Sequence, residues 1–418
     1  MTPHPPGTSD EGSKQGRFAA SLVVLTSLFF MWGLITSLND ILVPHFKAIF
    51  TLSYVQAMLI QLCFFGAYFV GSLPWGYLVE RVGYQRGIVL GLLLAALGCF
   101  AFYPAASLAS YPVFLGALFV LALGITLLQV AANPCVANLG PEDSAASRLN
   151  LTQAFNSLGT TLGPLLGSLL ILPVAARAGS DVVIPHEIHT VQGPYLVLGA
   201  VLAAIALLFS RLRLPLTTAS GDDRDAPGDL GPRGSLWRQP HVVLGALGIF
   251  VYVGAEVSIG SFLVSFMAEP TIAHLPASAA GRYLSLYWGG AMLGRFVGSA
   301  VLRKIKPGRL LAGNAALAMA LLLLAIATHG SASMWMVLAV GLCNSIMFPT
   351  IFTLALARLG KRSGEASGAM CMAIVGGAVL PVFMGFVADH VGLVTAFSVP
   401  VVCYAYIVHY GLVGHVPR

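Results

Sequence analysis

Two carboxylates lie in stretches that are otherwise apolar enough to cross a bilayer. Asp40 is near the end of SLVVLTSLFFMWGLITSLNDILV, and Glu256 is in the middle of VVLGALGIFVYVGAEVSIGSFLVSFM. A carboxylate at membrane depth costs about 3 kcal/mol unless it faces a cavity, a partner or an ion. A chain that keeps two of them is expected to bind something polar within the membrane. Asp40 could bind a cation or carry a proton, with the Thr36 and Ser37 hydroxyls one turn away, or it could simply cap the outer helix end. Leu42 and Val43 continue the apolar run, which favours the functional reading. A sodium ion at Asp40 would be held with Asn39, Thr36 and backbone oxygens. Glu256 is deeper and is a second candidate for cation coupling or for contact with a substrate.

Neutral amides form the other chemical pattern. Gln129 and Asn133 are four apart, and Gln153 and Asn156 three apart, so each pair shares a helix face. Amides donate and accept hydrogen bonds, as sugar hydroxyls do. The competing use is hydrogen bonding between helices. Substrate contact is the preferred reading, with Gln129 and Gln153 the best candidates; Asn344 is similar but weaker. Trp32, Phe155, Tyr252, Tyr287 and Trp288 could stack on the apolar face of a pyranose. Trp288 is favoured because Gly289 and Gly290 follow it. Arg295 is a cation inside a helix, where it could meet carbonyl ends of a neighbour or an acid.

These residues need a membrane scaffold. The chain has 418 residues, 57% hydrophobic and 9% charged, against about 25% charged in a soluble domain. Residues 1–17 are polar, and the first apolar stretch is too long for a cleaved leader, so it is expected to remain as the first helix. Apolar runs fall at roughly 19–44, 54–79, 87–107, 111–138, 149–174 and 193–211, then 242–268, 279–302, 309–328, 333–357, 364–388 and 393–415. This predicts an all-α membrane protein of twelve helices. A cytoplasmic tail (1–18) precedes a first half (19–211). A polar, Gly/Pro/Asp-rich cytoplasmic linker (212–240) leads to a second half (241–418). With the N-terminus inside, 18 Lys and Arg fall in inner segments and three (Lys47, Arg177, Arg282) in outer loops. That asymmetry fits both termini in the cytoplasm. The net charge of +6 therefore reports orientation in the lipid bilayer rather than a nucleic-acid partner. The six cysteines lie in apolar segments without a CxxC pair and read as packing residues.

The halves look alike. Gly76 and Gly298 are 222 residues apart, Gly33 and Gly254 are 221, Pro134 and Pro349 are 215, and Pro164 and Pro381 are 217. A nearly constant offset points to a duplicated six-helix unit, and two such units with a site between them suit alternating access. The loop Gly76-Tyr-Leu-Val-Glu80-Arg81-Val-Gly83-Tyr-Gln-Arg86 is echoed by Gly298-Ser-Ala-Val-Leu302-Arg303-Lys304. An acid at a helix end with clustered arginines could form a charge-relay latch that closes one side of the membrane.

The first of these loops resembles the signature between helices 2 and 3 of the major facilitator superfamily, which usually has Asp where Glu80 stands. Further motifs resemble the fucose–proton symporter family and its glucose/galactose branch. They are Phe30-Met-Trp-Gly33-Leu-Ile-Thr-Ser-Leu-Asn-Asp40, Gln129-Val-Ala-Ala-Asn-Pro134, Arg148-Leu-Asn-Leu-Thr-Gln-Ala-Phe-Asn156-Ser-Leu-Gly159, Tyr252-Val-Gly-Ala-Glu256, Gly294-Arg-Phe-Val-Gly298 and Asn344-Ser-Ile-Met-Phe-Pro-Thr-Ile-Phe352. The resemblance implies sugar uptake coupled to a cation and places Glu256 toward the central cavity. The family's fucose transporters are thought to couple protons through an Asp in helix 1 and a Glu in helix 4. Here those positions hold Ser37 and Gln129, which do not titrate, so their coupling does not carry over unchanged.

The expected activity is uptake of a hexose such as glucose or galactose with a proton or sodium ion, by a monomer in a bacterial-type inner membrane. Asp40 is favoured for coupling, with Glu256 as sugar ligand or auxiliary. The rivals are an exporter of drugs or metabolites with the same fold and a membrane sugar sensor that does not transport. His45, His241, His274 and His329 are scattered, which argues against a metal centre. No phosphate-binding loop or catalytic triad pattern is present, and neither an enzyme nor a cofactor is expected.

Overall fold

A computed structural model describes residues 19–34, 37, 54–108, 110–170, 192–211 and 236–417. These form twelve helical segments in chain order. The first six are α1 (Ala19–Leu34), α2 (Tyr54–Val82), α3 (Tyr84–Ser107), α4 (Tyr111–Ala137), α5 (Ala145–Leu170) and α6 (Gln192–Arg211). Then come α7 (Pro240–Ala268), α8 (Ala277–Val301), α9 (Pro307–Ala327), α10 (Gly330–Leu356), α11 (Ser363–Val391) and α12 (Leu393–Gly414). Eight of them are long and apolar enough to cross a membrane on composition alone. Neither α5 nor α8 is among the eight. The first carries Arg148, Asn150, Gln153 and Asn156, and the second Arg282 and Arg295, so each trades apolar surface for polar groups. Prolines start several helices where a backbone N–H would have no partner anyway, as in α4, α7 and α9.

The packing repeats with the sequence. In the first half α3 packs on α4 and α6, and α2 on α4; in the second α9 packs on α10 and α12, and α8 on α10. Contacts between halves follow the same rule: α2 meets α11 as α8 meets α5, and α4 meets α11 as α10 meets α5. Each helix therefore occupies the place of its counterpart six earlier. The duplicated unit read from glycine and proline spacing is thus present as a pseudo-symmetric pair of six-helix halves.

Several helix crossings are very close, among them that of α1 with α5. A side chain on Gly33 of α1 would run into the Asn156 carbonyl oxygen of α5, and one on Gly159 into the Phe30 carbonyl. Small residues let backbones approach in this way and let dispersion hold the helices, since lipid supplies no hydrophobic drive between them. The Asn156 amide fastens the crossing by donating to the Phe29 carbonyl at 2.9 Å.

Three helices depart from regular geometry, among them α12, which breaks at Phe397 and widens into a π-helical turn at Tyr410–Gly414. The α10 helix is interrupted between Asn344 and Met347. The α11 helix tightens at Ala373–Val375. Helix ends extend slightly beyond the apolar runs. For example, α5 starts at Ala145 rather than 149, because Ser147 and Arg148 find partners inside the bundle. Five cysteines are buried and Cys63 is partly so, and all six are free thiols, in keeping with packing roles.

Candidate functional site

The amides of α4 and α5 converge between the halves. Gln153 Nε2 donates to Asn133 Oδ1 at 3.3 Å. Gln129 lies one turn before Asn133, and its side-chain amide makes no hydrogen bond to any described residue. The Nδ2 group of Asn133 also lacks a partner among the described residues, although this residue is fully buried. Gln129 and Gln153 each keep 7% exposure. Buried amides normally find partners, so this group retains donor and acceptor capacity for a small polar molecule. The opposite half is close at hand: Ser367 of α11 donates to the Val130 carbonyl of α4 at 2.8 Å. The fourth amide, Asn156, is already committed to α1.

Glu256 is partly buried on α7 beside a knot of tyrosines. Asn344 lies at the centre of the knot, where α10 breaks. Its Nδ2 donates to the Tyr287 hydroxyl at 2.8 Å, its Oδ1 accepts from Tyr404 at 2.6 Å, and its carbonyl accepts from Tyr252 at 3.0 Å. Tyr287 in turn donates to the Glu256 carbonyl oxygen at 3.2 Å, and the Tyr252 hydroxyl lies beside the Glu256 carboxylate. Asn344 is fully buried and engaged with three helices, so in this arrangement it positions the wall of the site and does not face a ligand. Trp288 forms an edge-on contact with Tyr287 at 5.1 Å and remains 43% exposed. The glycine against its ring is Gly260 of α7. The nearby Gly290 faces the α10 backbone instead.

Inter-half bonds gather at the end of the bundle where α2 ends and α5 begins. Ser147 donates to the Ser299 carbonyl at 2.6 Å, and Asn150 Nδ2 to Thr350 Oγ1 at 3.4 Å. Arg295 of α8 donates through Nε to the Ser345 carbonyl at 3.1 Å and through Nη1 to Ser157 Oγ on α5. Arg148 fans its guanidinium over the last carbonyls of α4, including Ala137 at 2.7 Å and Val136 at 3.3 Å, which satisfies a helix C-terminus. Ser157, Thr350 and Ser367 carried no signal in the sequence, because a Ser or Thr hydroxyl in an apolar helix usually bonds its own preceding turn, and Tyr404 carried none because aromatics in membrane helices mostly pack in the core or at the interface.

The latch loop sits at the same end. Glu80 Oε1 accepts the Glu365 backbone N–H at 2.8 Å, within the first turn of α11 in the opposite half. A carboxylate there satisfies an otherwise unpaired N–H and faces the positive end of the helix dipole. Glu365 is itself paired with Arg362 at 2.9 Å. Gly76 allows this approach, since a methyl group there would stand 2.8 Å from the Gly364 carbonyl oxygen. Gly83 turns the chain from α2 into α3 with φ +87°, a conformation that disfavours other residues. Arg81 and Arg86 are exposed and make no hydrogen bond or ion pair with described residues. The acid thus reaches the other half through a helix end and not through these arginines. Replacing Glu80 with Ala is expected to slow net uptake several-fold with substrate affinity unchanged within about twofold, the lost contact being worth about 1–2 kcal/mol. Arg81→Gln alone should have a smaller effect. Initial uptake rates and equilibrium binding on the same preparations check both.

Asn39 and Asp40 lie outside the described residues, as does Thr36. Ser37 is buried, its hydroxyl donates to the Leu34 carbonyl at 2.9 Å, and its side chain lies against Gly163 of α5. Among the described residues no cluster of His, Cys, Asp or Glu could hold a metal ion.

A sequence profile of the Major Facilitator Superfamily matches residues 22–380. The glucose/galactose transporter of Brucella abortus is 54% identical over 97% of this chain and 96% of its own length. The L-fucose-proton symporter of Escherichia coli is 36% identical over 95% and 94%. Among solved structures, the major facilitator transporter FucP in its outward conformation superposes with a TM-score of 0.85 at 34% identity, covering 94% of this chain and 98% of that one. The repeated packing of α1–α6 in α7–α12 is therefore that of a known architecture, and the chain belongs to the major facilitator superfamily, alongside the glucose/galactose transporters and fucose–proton symporters.

Proposed function

We propose that this protein is a secondary active transporter that takes up a monosaccharide, a hexose such as glucose or galactose, together with a cation. The observation that carries the reading is the partly unpartnered amide group of Gln129, Asn133 and Gln153 at the junction of the halves. A sugar offers both donors and acceptors to such a group. An apolar drug would leave those amides unpaired at a cost of about 1–3 kcal/mol each, which weighs against the exporter reading. The names of the relatives at 54% and 36% identity point the same way. A sensor would not need the inter-half bonds gathered at one end of the bundle, of the kind an alternating cycle makes and breaks.

The coupling ion is a proton or sodium. The E. coli relative is named for protons, which favours the proton. Asp40 is the proposed coupling carboxylate, with Glu256 as sugar ligand or auxiliary acid. The protein is a multi-pass monomer of the inner membrane with both termini in the cytoplasm, as the distribution of Lys and Arg supports. In that orientation the end bearing Glu80 and Ser147 is cytoplasmic and closed here. Transport then follows from exchanging contacts at this end for contacts at the other around a fixed site.

Gln129→Ala and Gln153→Ala test the site. Each should weaken sugar binding roughly tenfold, as expected for one lost hydrogen bond with its partner left unsatisfied, while leaving the protein folded. Counterflow of labelled sugar across a concentration series measures this. Unchanged affinity in both variants would mean that the amide group serves packing and that the sugar binds elsewhere.

A further inference from the structure

Arg295 carries its charge into the bundle and, among the described residues, meets only neutral acceptors: the Ser345 carbonyl at the break in α10, and the Ser157 hydroxyl. Ser157 itself donates to the Gln153 carbonyl at 3.0 Å, which leaves its oxygen to receive the guanidinium. A buried cation is best satisfied by a carboxylate. One is near: Glu256 lies on the neighbouring α7, within the field of Arg295. Yet among the described residues the two are not paired within 4.0 Å, and Glu256 is neighboured by the neutral hydroxyls of Tyr252 and Tyr404, with Tyr287 on its backbone carbonyl. One of the two bonds that hold the guanidinium reaches across to the opposite half. Ser157 is on α5, while Arg295, Ser345 and Glu256 are all in the second half.

We propose that Arg295 empties Glu256: when the halves part at the α2–α3 end, the guanidinium leaves Ser157 and closes on the Glu256 carboxylate. Parting the halves removes Ser157 and leaves Arg295 with one neutral acceptor. The long side chain then gains most by turning to the unpaired acid on its own half. An ion pair there competes with whatever Glu256 held, a cation or a sugar hydroxyl, and so releases it on the side that has opened. The same bond makes opening easier when Glu256 is ionised and unoccupied, so binding and conformation are linked in both directions. The release role rests on the transport reading, whereas the exchange of partners by Arg295 does not. Arg295 is a positioning residue in this account.

The test uses a reporter of the closed end. Ser147 is buried there against Ser299, so the thiol of Ser147→Cys reacts with a maleimide only when this end opens. Purified protein in nanodiscs is labelled, and the rate of the chain without the reporter is subtracted. Ser157→Ala is expected to raise the labelling rate about fivefold, the equivalent of one net hydrogen bond. Adding Glu256→Gln should cancel most of that rise, because the freed guanidinium then has no carboxylate to join. Ser157→Thr keeps the hydroxyl and should label like the parent. Arg295→Lys should keep the dependence on Glu256, and Arg295→Met should abolish it. An equal rise from Ser157→Ala with and without Glu256→Gln would overturn the proposal, as would no rise at all. Sugar counterflow is measured on the same preparations. A parent that moves no sugar but shows the stated labelling pattern would remove the transport reading and leave the exchange of partners standing.

Discussion

Asp40→Asn is expected to abolish accumulation of sugar against its gradient while sparing exchange of sugar for sugar. Net uphill transport requires the cation to leave on every turn. Exchange does not, so a carrier with a permanently neutral coupling site can still swap sugars. The expected loss is complete if Glu256 serves only as a sugar ligand or auxiliary acid, since helix 4 offers the neutral Gln129 in place of a second coupling carboxylate. Glu256→Gln should differ, weakening both accumulation and exchange, since this acid lies at the wall shared with Tyr252 and Asn344. Uptake of labelled sugar into proteoliposomes under an imposed gradient, set beside counterflow, separates the two variants. Accumulation that survives Asp40→Asn would move the coupling site elsewhere.

Gly33→Leu is expected to prevent folding or to lower stability by about 3 kcal/mol or more, the upper range for forcing bulk into a packed core. The obstacle is backbone and not a movable side chain, because the added atoms meet the Asn156 carbonyl. Separating α1 from α5 would also break the bond from Asn156 to the Phe29 carbonyl. Gly159→Leu should do the same from the other side of the crossing. Gly66→Leu is the control, since a Cβ there meets nothing within 4 Å. Thermal unfolding in detergent, followed by size-exclusion chromatography, should show the crossing variants lost or strongly destabilised and the control near the parent.

Much of the architecture was legible because the membrane allows few solutions. A backbone in lipid must satisfy its own hydrogen bonds, so long apolar runs mean helices, and a matching set of glycines and prolines means a repeated unit. Gly33 and Gly254 gave the offset, and the α1–α5 crossing shows why a glycine is needed at one of them. The position of the amide stripe was legible for a related reason: Gln129, Asn133 and Gln153 stand out in apolar helices, and Gln153 meets Asn133 across α4 and α5. The role of Asn344 was not. Its three tyrosine partners come from α7, α8 and α12, and no spacing along the chain announces such a convergence. Glu80 was legible as an acid at a helix end, but its partner is a backbone N–H of Glu365, which has no side-chain signature. Arg295 was legible as a misplaced charge, whereas Ser157, which receives it, looked like any helical serine.

The central claim is that the site between the halves moves a hexose uphill with a cation. It is tested most directly by following labelled glucose and galactose into sealed proteoliposomes carrying an inward proton gradient, an inward sodium gradient or neither. The account predicts accumulation well above the external concentration under one of the two gradients, collapse when that gradient is dissipated, and simple equilibration with neither. Equilibration alone under every condition, or no entry of either sugar, would contradict it.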